Sequence, residues 1–211
     1  MTDYEPKKRP TQARSKATFQ AMLDAVARIL TQEGYAGLNT NRVAEVAGVG
    51  IASLYEYFPG KEAIVATLAE RELDTLVSRI AAQLPAAVQQ GGRAGLRHVF
   101  GVAVGEVAAQ AELYRVLLRE IPFVATLPAV QRLQETAFTH AHAATTQARE
   151  SLSLPHFEKD VWLLWQMIYN TLLEIGFAGV DPDERGQLVE EFVRLVARML
   201  FPDNSVVAME D

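Results

Sequence analysis

Apolar side chains near the N-terminus recur with the spacing of an α-helix that buries one face. They occupy i, i+3, i+4 and i+7 positions, namely Phe19, Met22, Leu23, Val26, Ile29 and Leu30. A stripe of this kind predicts an amphipathic helix. Gly34 follows the stripe and is a suitable C-cap, because glycine takes the left-handed conformation at little cost. The pattern therefore predicts a first helix that ends at Gly34.

Two shorter helical segments come next. After "YAGLN", Thr40 is a suitable N-cap for a helix that carries Val43, Val46 and Ala47 and ends at Gly48. The segment "IASLYEYF" then begins another short helix, which the following "PG" breaks. Two short helices joined by a tight turn that contains glycine are typical of a helix-turn-helix. In that motif the second helix enters the major groove of DNA.

The rest of the chain also predicts helices. A fourth helix begins near Lys61 and is stopped by Pro85. Prolines and a glycine-containing loop separate the later helices, which are expected at about 93–109, 111–120, 128–151, 156–179 and 183–201. There is no alternating β pattern and no internal repeat. The expected fold class is all-α, with about nine helices in total.

Composition narrows the range of functions. The 211 residues include no cysteine, so disulfides and thiolate metal sites are excluded. No apolar run of about 18 residues occurs, and the charged N-terminus is unlike a signal peptide, so a cytoplasmic protein with no membrane partner is expected. There is no metal-binding motif, phosphate loop or nucleophile motif. We therefore expect no metal, no cofactor and no catalytic residue.

Charge is distributed unevenly along the chain. The net charge is −6, which argues against a nucleic-acid-binding protein if the average alone is considered. Residues 7–42, however, carry seven Lys or Arg and two acidic residues, whereas residues 63–211 carry twelve basic and nineteen acidic residues. This asymmetry suggests that only the N-terminal end meets a polyanion. A solvated, lysine-rich tail is an equally good explanation.

Two tyrosines near the end of the third predicted helix and a lysine shortly after it suggest phosphate contacts. Tyr55 and Tyr57 are two residues apart, so they cannot share one helix face, and a purely structural role would bury one and expose the other. Phosphate binding uses both, because a phenol hydroxyl can donate to a phosphate oxygen from either side of the helix end. Lys61, at the start of the next helix, can reach the same strand.

Residues 12–68 resemble the DNA-binding domain of TetR/AcrR-type transcriptional regulators. The resemblance rests on "EGY" after the first helix, Thr40, "AGV", "LYEYF" and Lys61. It implies a three-helix DNA-binding head, a larger helical body that binds ligand and dimerises, and repression relieved by a small molecule. The corresponding boundaries are a basic arm at 1–14, a DNA-binding domain at 15–62 with its motif at about 39–58, and a regulatory domain at 63–211.

The resemblance also implies a role for individual residues. Thr40 becomes an N-cap and phosphate contact, the next two residues face the groove, the start of the third helix lies at the groove floor, and the arm reaches the minor groove. The implied DNA contacts are Thr40, Asn41, Arg42, Gly50, Ile51, Ala52, Ser53, Tyr55, Tyr57, Lys61 and, in the arm, Lys7, Lys8, Arg9 and Arg14. A disordered arm fits the sequence as well.

Three positions depart from the pattern of near relatives, which favour Ser, Gly and Gln where this chain has Gly50, Ala52 and Glu56. Gly50 can still act as an N-cap, but it offers no side chain to a base or phosphate. Glu56 places a negative charge near the duplex, so it either accepts a hydrogen bond from a cytosine amino group or points away. The operator sequence is therefore left open.

The last two predicted helices are candidates for a dimer interface. The segment "FEKDVWLLWQMIYNTLLEIGFAG" is apolar on nearly all sides, and "LVEEFVRLVARMLF" carries an apolar stripe. We expect a dimeric four-helix bundle with glycines that allow close approach. Its expected members are Ile175, Gly176, Gly179, Leu188, Phe192, Leu195 and Met199. The alternative is that both helices pack only inside one monomer.

A pocket for a small hydrophobic or aromatic effector is expected where the middle helices converge. Its candidate wall residues are Phe100, Tyr114, Phe138, Trp162, Trp165, Met167 and Tyr169, with His98, His140 and His142 as candidate polar contacts. Ordinary core packing explains most such aromatic residues. The leading interpretation is a DNA-binding regulator, and the alternatives are a helical enzyme or an interaction protein without a DNA partner.

Overall fold

The computed structural model describes residues 4–201, and within them every regular element is a helix, which confirms the all-α prediction. The α-helices are α1 (Ala13–Gly37), α2 (Thr40–Ala47), α3 (Ile51–Tyr57), α4 (Lys61–Ala81), α5 (Leu84–Gln90), α6 (Gly92–Ala109), α7 (Ala111–Arg115), α8 (Pro128–Gln147), α9 (Phe157–Phe177) and α10 (Pro182–Leu200). A π-helical turn, Val116–Glu120, continues α7. None of these helices is long and apolar enough to cross a membrane.

The described residues form two compact units. Unit 1 comprises residues 4–75 and 112–132, and unit 2 comprises residues 76–111 and 133–201. Unit 1 therefore contains the whole of α1, α2 and α3, whereas unit 2 contains α5, α6, α9 and α10. The boundary expected from sequence, between residues 62 and 63, stays a prediction.

The core of unit 1 is built on the apolar stripe of α1. All six stripe residues are buried, as predicted. Phe19 stacks on Phe58 with ring centroids 4.9 Å apart and meets the edge of Tyr57 at 5.7 Å, so α1 holds the end of α3. Gly34 has φ 68°, which interrupts α1 at the predicted C-cap before a final turn that reaches Gly37.

The N-cap of α2 is Asn39, and the prediction of Thr40 was wrong. Asn39 has an extended backbone, and its side-chain oxygen accepts a hydrogen bond from the Arg42 backbone N–H at 3.0 Å. Thr40 is already the first helical residue. Asparagine caps helices at least as well as threonine, so the sequence alone did not separate the two positions. Because Thr40 is not the cap, its hydroxyl is available for another contact.

The core of unit 2 forms where α6 packs against α9 and α10. Phe100 of α6 stacks on Phe192 of α10 with centroids 5.4 Å apart, within a buried cluster that includes Val193 and Val196. On α9, Gly176 lies so close to α6 that an added Cβ would stand 2.5 Å from a methyl carbon of Val107. Gly176 therefore serves a helix contact within this chain.

One short helix was not predicted. The fourth helix ends at Ala81, and α5 begins at Leu84 with Pro85 in its first turn. A proline in the first turn is favourable, because the N–H that it lacks has no partner there in any helix. Treating Pro85 only as a stop signal hid α5. The helix expected at 128–151 also ends earlier, at Gln147, and a 3₁₀ turn at Arg149–Ser151 follows.

Candidate functional site

The surface formed by α2 and α3 has the local geometry of a helix-turn-helix. Gly48 ends α2 in the left-handed conformation, with φ 66°, and Gly50 is the N-cap of α3, as predicted. Leu54 is fully buried and anchors α3 to the core of unit 1. Ile51 and Tyr55 are one turn apart and are 38% and 43% exposed. The helix is thus fixed by one face and presents the other to solvent.

Two hydroxyl groups meet beside this exposed face. The oxygens of Thr40 and Tyr55 are 3.1 Å apart, which joins the start of α2 to the middle of α3. In such a pair one hydroxyl donates its hydrogen to the other, and the accepting hydroxyl keeps its own hydrogen free. The pair can therefore donate one hydrogen bond outward, for example to a phosphate oxygen.

Tyr57 and Lys61 are more enclosed than Tyr55. The Tyr57 side chain is buried, with 8% exposure. Lys61 Nζ donates to the backbone oxygen of Leu38 at 3.2 Å and lies 4.4 Å from the ring centroid of Tyr35. The ammonium has three N–H donors, so Lys61 can tie α4 to the segment before α2 and still offer hydrogens to another group. Phosphate contacts by Tyr57 and Lys61 stay predictions.

Arg42 is held by carboxylates of its own chain. Its guanidinium nitrogens lie 2.8 Å from Glu33 and 3.0 Å from Glu45, on α1 and α2 respectively. The hydrogen bonds that Arg42 donates to Glu33 and, with a smaller effect, to Glu45 raise its pKa further above the usual range. Arg42 was expected to face a groove, and neither carboxylate was expected to hold it. Its charge is balanced inside unit 1 before any DNA is present.

Residues 4–9, here called the docked arm, lie against the end of α3. The Lys7 backbone N–H donates to the Tyr57 backbone oxygen at 2.7 Å, and Lys7 Nζ donates to the Tyr55 backbone oxygen at 2.9 Å. Lys8 Nζ is 2.9 Å from a carboxylate oxygen of Glu56. Neither role expected for Glu56 involves Lys8. The two residues are 48 positions apart, so no local sequence pattern indicated that they pair.

Unit 2 contains an apolar cavity of about 470 Å³. Its walls come from residues 76–81 at the end of α4, from α5, α6, α8 and α9, and from Leu152, Leu200 and Phe201. Among the described residues that line it there is no Asp, Glu, Lys or Arg. The polar side chains on its wall are those of His140, Thr145, Gln147 and Tyr169. A cavity of this size and character suits an apolar molecule with few polar groups.

Some of the aromatic residues expected at this cavity line it, and others do not. Phe100, Trp165 and Tyr169 line it. Phe138 is outside the lining and packs on Trp165, with centroids 6.4 Å apart. Tyr114 is buried in unit 1 and is not among the residues that line this cavity.

An exposed apolar stripe runs along α9 and α10. Its members are Trp162, Leu163 and Met167 on α9 and Leu188, Leu195 and Met199 on α10, each between 38% and 54% exposed. By contrast, Ile175, Gly176 and Phe192, which were also expected at a dimer interface, are buried inside unit 2. Of the expected set, Leu188, Leu195 and Met199 are therefore the apolar members that a partner could contact.

A family model for bacterial regulatory proteins of the tetR family matches residues 22–68. This stretch contains all of α2 and α3 together with the hydroxyl pair. Residues 22–68 are therefore a segment of the TetR type. The motifs that suggested the resemblance thus identify the family correctly, and the helix-turn-helix geometry agrees with it.

Curated relatives of this chain are named as transcriptional regulators. An uncharacterised HTH-type regulator of Mycobacterium tuberculosis, Rv1255c, is 31% identical over 80 residues, which cover 38% of this chain and 40% of that protein. The match thus spans less than half of that relative's length. The HTH-type repressor KstR of Mycolicibacterium smegmatis is 28% identical over 149 residues, which cover 67% of this chain and 71% of KstR.

A solved structure shows that the fold extends beyond the matched residues. The regulator FadR of Bacillus subtilis, in complex with stearoyl-CoA, superposes with a TM-score of 0.67 at 18% identity and covers 86% of this chain and 98% of FadR. The chain therefore shares the fold of that protein over 86% of its length. The enzyme alternative finds no support among these relatives.

Besides Tyr57, Lys61 and the docked arm, three further groups of expected DNA contacts can be located in the structure. Thr40 and Tyr55 meet through their hydroxyls, and Gly50 to Ser53 open α3 beside them. Arg42 is held by its own carboxylates. Arg14 lies exposed in the first turn of α1, outside the docked arm. The contacts of all these residues with DNA stay predictions.

Proposed function

We propose that this chain is a homodimeric repressor that binds a palindromic DNA operator and is released from it by a small apolar effector. The observation that carries DNA binding is the hydroxyl pair of Thr40 and Tyr55 beside the exposed face of α3. A single short helix reads only a few base pairs. A two-fold dimer presents two copies of α3, which fit half-sites about 34 Å or a multiple apart.

Selection of bound sequences from random duplex DNA tests this proposal directly. We expect an inverted repeat whose half-site spacing corresponds to whole turns of the duplex. Recovery of no enriched sequence, with no salt-sensitive binding to any duplex, would refute the regulator proposal.

The contribution of the hydroxyl pair is tested on the selected operator. Tyr55→Phe removes one hydroxyl and keeps the ring, and we expect a loss in affinity of about 2- to 10-fold, which corresponds to one hydrogen bond of about 0.5–1.5 kcal/mol. The loss should be similar on all operators, because phosphate contacts carry no sequence information. Tyr169→Phe, at the cavity of unit 2, is the matched control and should bind DNA like the parent chain. Equal affinity of both variants would remove Tyr55 from the interface.

We place the dimer interface on the exposed stripe of α9 and α10. The stripe supports this position because large apolar side chains that follow one helix face are favourable only when another surface covers them. Leu195→Glu puts a charge into the stripe, and we expect dissociation to a monomer in analytical ultracentrifugation. Gln90→Glu adds the same charge to an exposed position on α5 and is the control. A Leu195→Glu dimer of unchanged stability would place the interface elsewhere.

The proposed effector is an apolar molecule that places no charged group of its own inside the cavity. Burial of each 100 Å² of apolar surface contributes about 2.5 kcal/mol, whereas a buried charge needs a partner that the described wall does not offer. A long-chain alcohol should therefore raise the melting temperature more than the fatty acid of the same length. Ala144 lines the cavity and its neighbour Ala143 does not, so Ala144→Leu should weaken ligand binding and Ala143→Leu should not. Tighter binding of the acid would exclude this effector class.

A further inference from the structure

The docked arm is bound to α3 by backbone as well as side-chain contacts. The short hydrogen bond from the Lys7 N–H to the Tyr57 oxygen and the bond from Lys7 Nζ to the Tyr55 oxygen both reach carbonyls at the C-terminal end of α3. Carbonyl groups in the last turn of a helix lack partners within the helix, and the helix dipole favours a cation there. Lys7 thus stabilises the end of α3 in two ways.

Lys8 adds side-chain contacts between the docked arm and α3. Its ammonium lies 2.9 Å from Glu56 and 4.8 Å from the ring centroid of Tyr57, so it is held between a carboxylate and an aromatic face. Glu56 is on the exposed side of α3, next to Tyr55 in sequence. An exposed ion pair contributes little alone, but this one acts on a segment already held by the Lys7 contacts.

Two further contacts hold the ends of the docked arm. Tyr4 stacks on Phe123 with centroids 4.9 Å apart and ring planes 9° from parallel. Arg9 pairs with Glu70 of α4 at 3.2 Å. The docked arm is therefore held at Tyr4, Lys7, Lys8 and Arg9, all within unit 1. A solvated tail would show none of these contacts.

We propose that Glu56 is a positioning residue of the DNA interface, which holds Lys8 and with it the docked arm at the C-terminal end of α3 before DNA binds. The inference rests on the proposed DNA-binding function. An arm that is already ordered does not lose conformational entropy again when DNA binds. The pairing of Glu56 with Lys8 also explains why a carboxylate is tolerated on the exposed side of α3, because the adjacent ammonium compensates its charge.

Amide hydrogen exchange of the free protein tests the docking without DNA. The Lys7 amide, bonded to Tyr57, should exchange more slowly than in an unstructured peptide. Glu56→Gln should speed its exchange by about 1.4- to 5-fold, the range expected for loss of one exposed ion pair. Asp24→Asn is the matched control, because it removes one negative charge from a pair with Arg71 and does not touch the docked arm. Exchange at the rate of a free peptide in the parent chain would overturn the inference.

A double-mutant cycle on the selected operator tests the positioning role. In the parent chain, Glu56→Gln should weaken DNA binding by about 2- to 5-fold, because the arm loses its anchor. In the Lys8→Gln background no cation remains for Glu56 to hold, and its only effect is repulsion of phosphates, so Glu56→Gln should there tighten binding. This reversal of sign is the expected result.

Two other outcomes are distinguishable. If Glu56→Gln tightens binding, or leaves it unchanged, in both backgrounds, Glu56 acts only as a repelling charge or not at all, and the positioning role is refuted while DNA binding stands. If the parent chain binds no duplex, the proposed function is refuted and the positioning role falls with it. In that case the exchange measurement still decides whether the arm is docked.

Discussion

Two glycines of α6 give opposite predictions for the same substitution. A Cβ added to Gly95 would stand 3.3 Å from the carbonyl carbon of Ala87 and nearer than 3.0 Å to its oxygen, whereas a Cβ added to Gly105 meets nothing within 4 Å. At Gly95, α6 therefore lies directly against the backbone of α5. Gly95→Ala therefore inserts a methyl group against backbone that cannot rotate away, and Gly105→Ala inserts it into open space.

The expected magnitudes follow from two opposing terms. Alanine is more favourable than glycine inside a helix by about 0.8–1.0 kcal/mol, and this gain applies to both sites. Overpacking costs about 1–3 kcal/mol, and an overlap with a backbone carbonyl belongs at the upper end. We expect Gly105→Ala to stabilise unit 2 by about 1 kcal/mol and Gly95→Ala to destabilise it by about 2 kcal/mol.

Thermal unfolding followed by circular dichroism measures both effects. For a chain of this size, about 1 kcal/mol shifts the melting temperature by about 2–4 °C, so Gly105→Ala should melt about 2–4 °C higher and Gly95→Ala about 4–8 °C lower. Because Gly95 also lines the cavity, Gly95→Ala should weaken effector binding while Gly105→Ala leaves it unchanged. An equal rise in melting temperature for both variants would refute the close packing of α5 on α6.

Three further substitutions probe separate contacts. Thr40→Val removes the partner of the Tyr55 hydroxyl and should weaken operator binding by about 2- to 10-fold with an unchanged melting temperature; a loss of stability instead would mean that the pair is structural. Gly176→Ala should lower the free energy of unfolding in urea by about 1 kcal/mol, which unchanged unfolding would contradict. Arg97 lowers the pKa of Glu190, chiefly through their hydrogen bonds, so the pair stabilises unit 2 at neutral pH and this stabilisation is lost as the pH falls through the lowered pKa. The difference in melting temperature between the parent and Glu190→Gln should therefore vanish between about pH 5 and pH 2, and a difference that persists there would argue against the pair.

Helix positions could be predicted where one local signal dominated. The stripe on α1 has the period of a helix, and all six residues are buried because that face is the core of unit 1. Gly48 and Gly50 were also predicted correctly, because a left-handed turn and an extended N-cap are local requirements. The errors arose where two adjacent residues suit one role or where one residue suits two roles. Asn39 competes with Thr40 as a cap, and Pro85 both ends one helix and begins another.

Contacts between residues far apart in sequence could not be predicted. The motif indicated that Tyr55 is important, but nothing local shows that its hydroxyl meets the one on Thr40. The same holds for Lys8 and Glu56, which were treated as a groove contact and a repelling charge and turn out to pair with each other. Periodicity likewise gave the apolar positions of α9 and α10. Only the packing shows that Phe192 faces the monomer core while Leu195 faces solvent.

The ion pairs of unit 1 change what the salt dependence of DNA binding should report. Arg42, Lys8 and Arg9 are paired with carboxylates of the same chain, so a phosphate that binds one of them replaces a partner already present. Each new phosphate contact contributes about 0.9 to the salt slope only when it releases a DNA counterion, and the freed carboxylate then takes up a cation from solution. The slope should therefore be smaller than the number of basic residues suggests. A random duplex offers phosphates but no groove that fits α3, so it gains little free energy by replacing these carboxylates. Basic residues that are already paired within an acidic chain therefore favour specific over non-specific DNA binding.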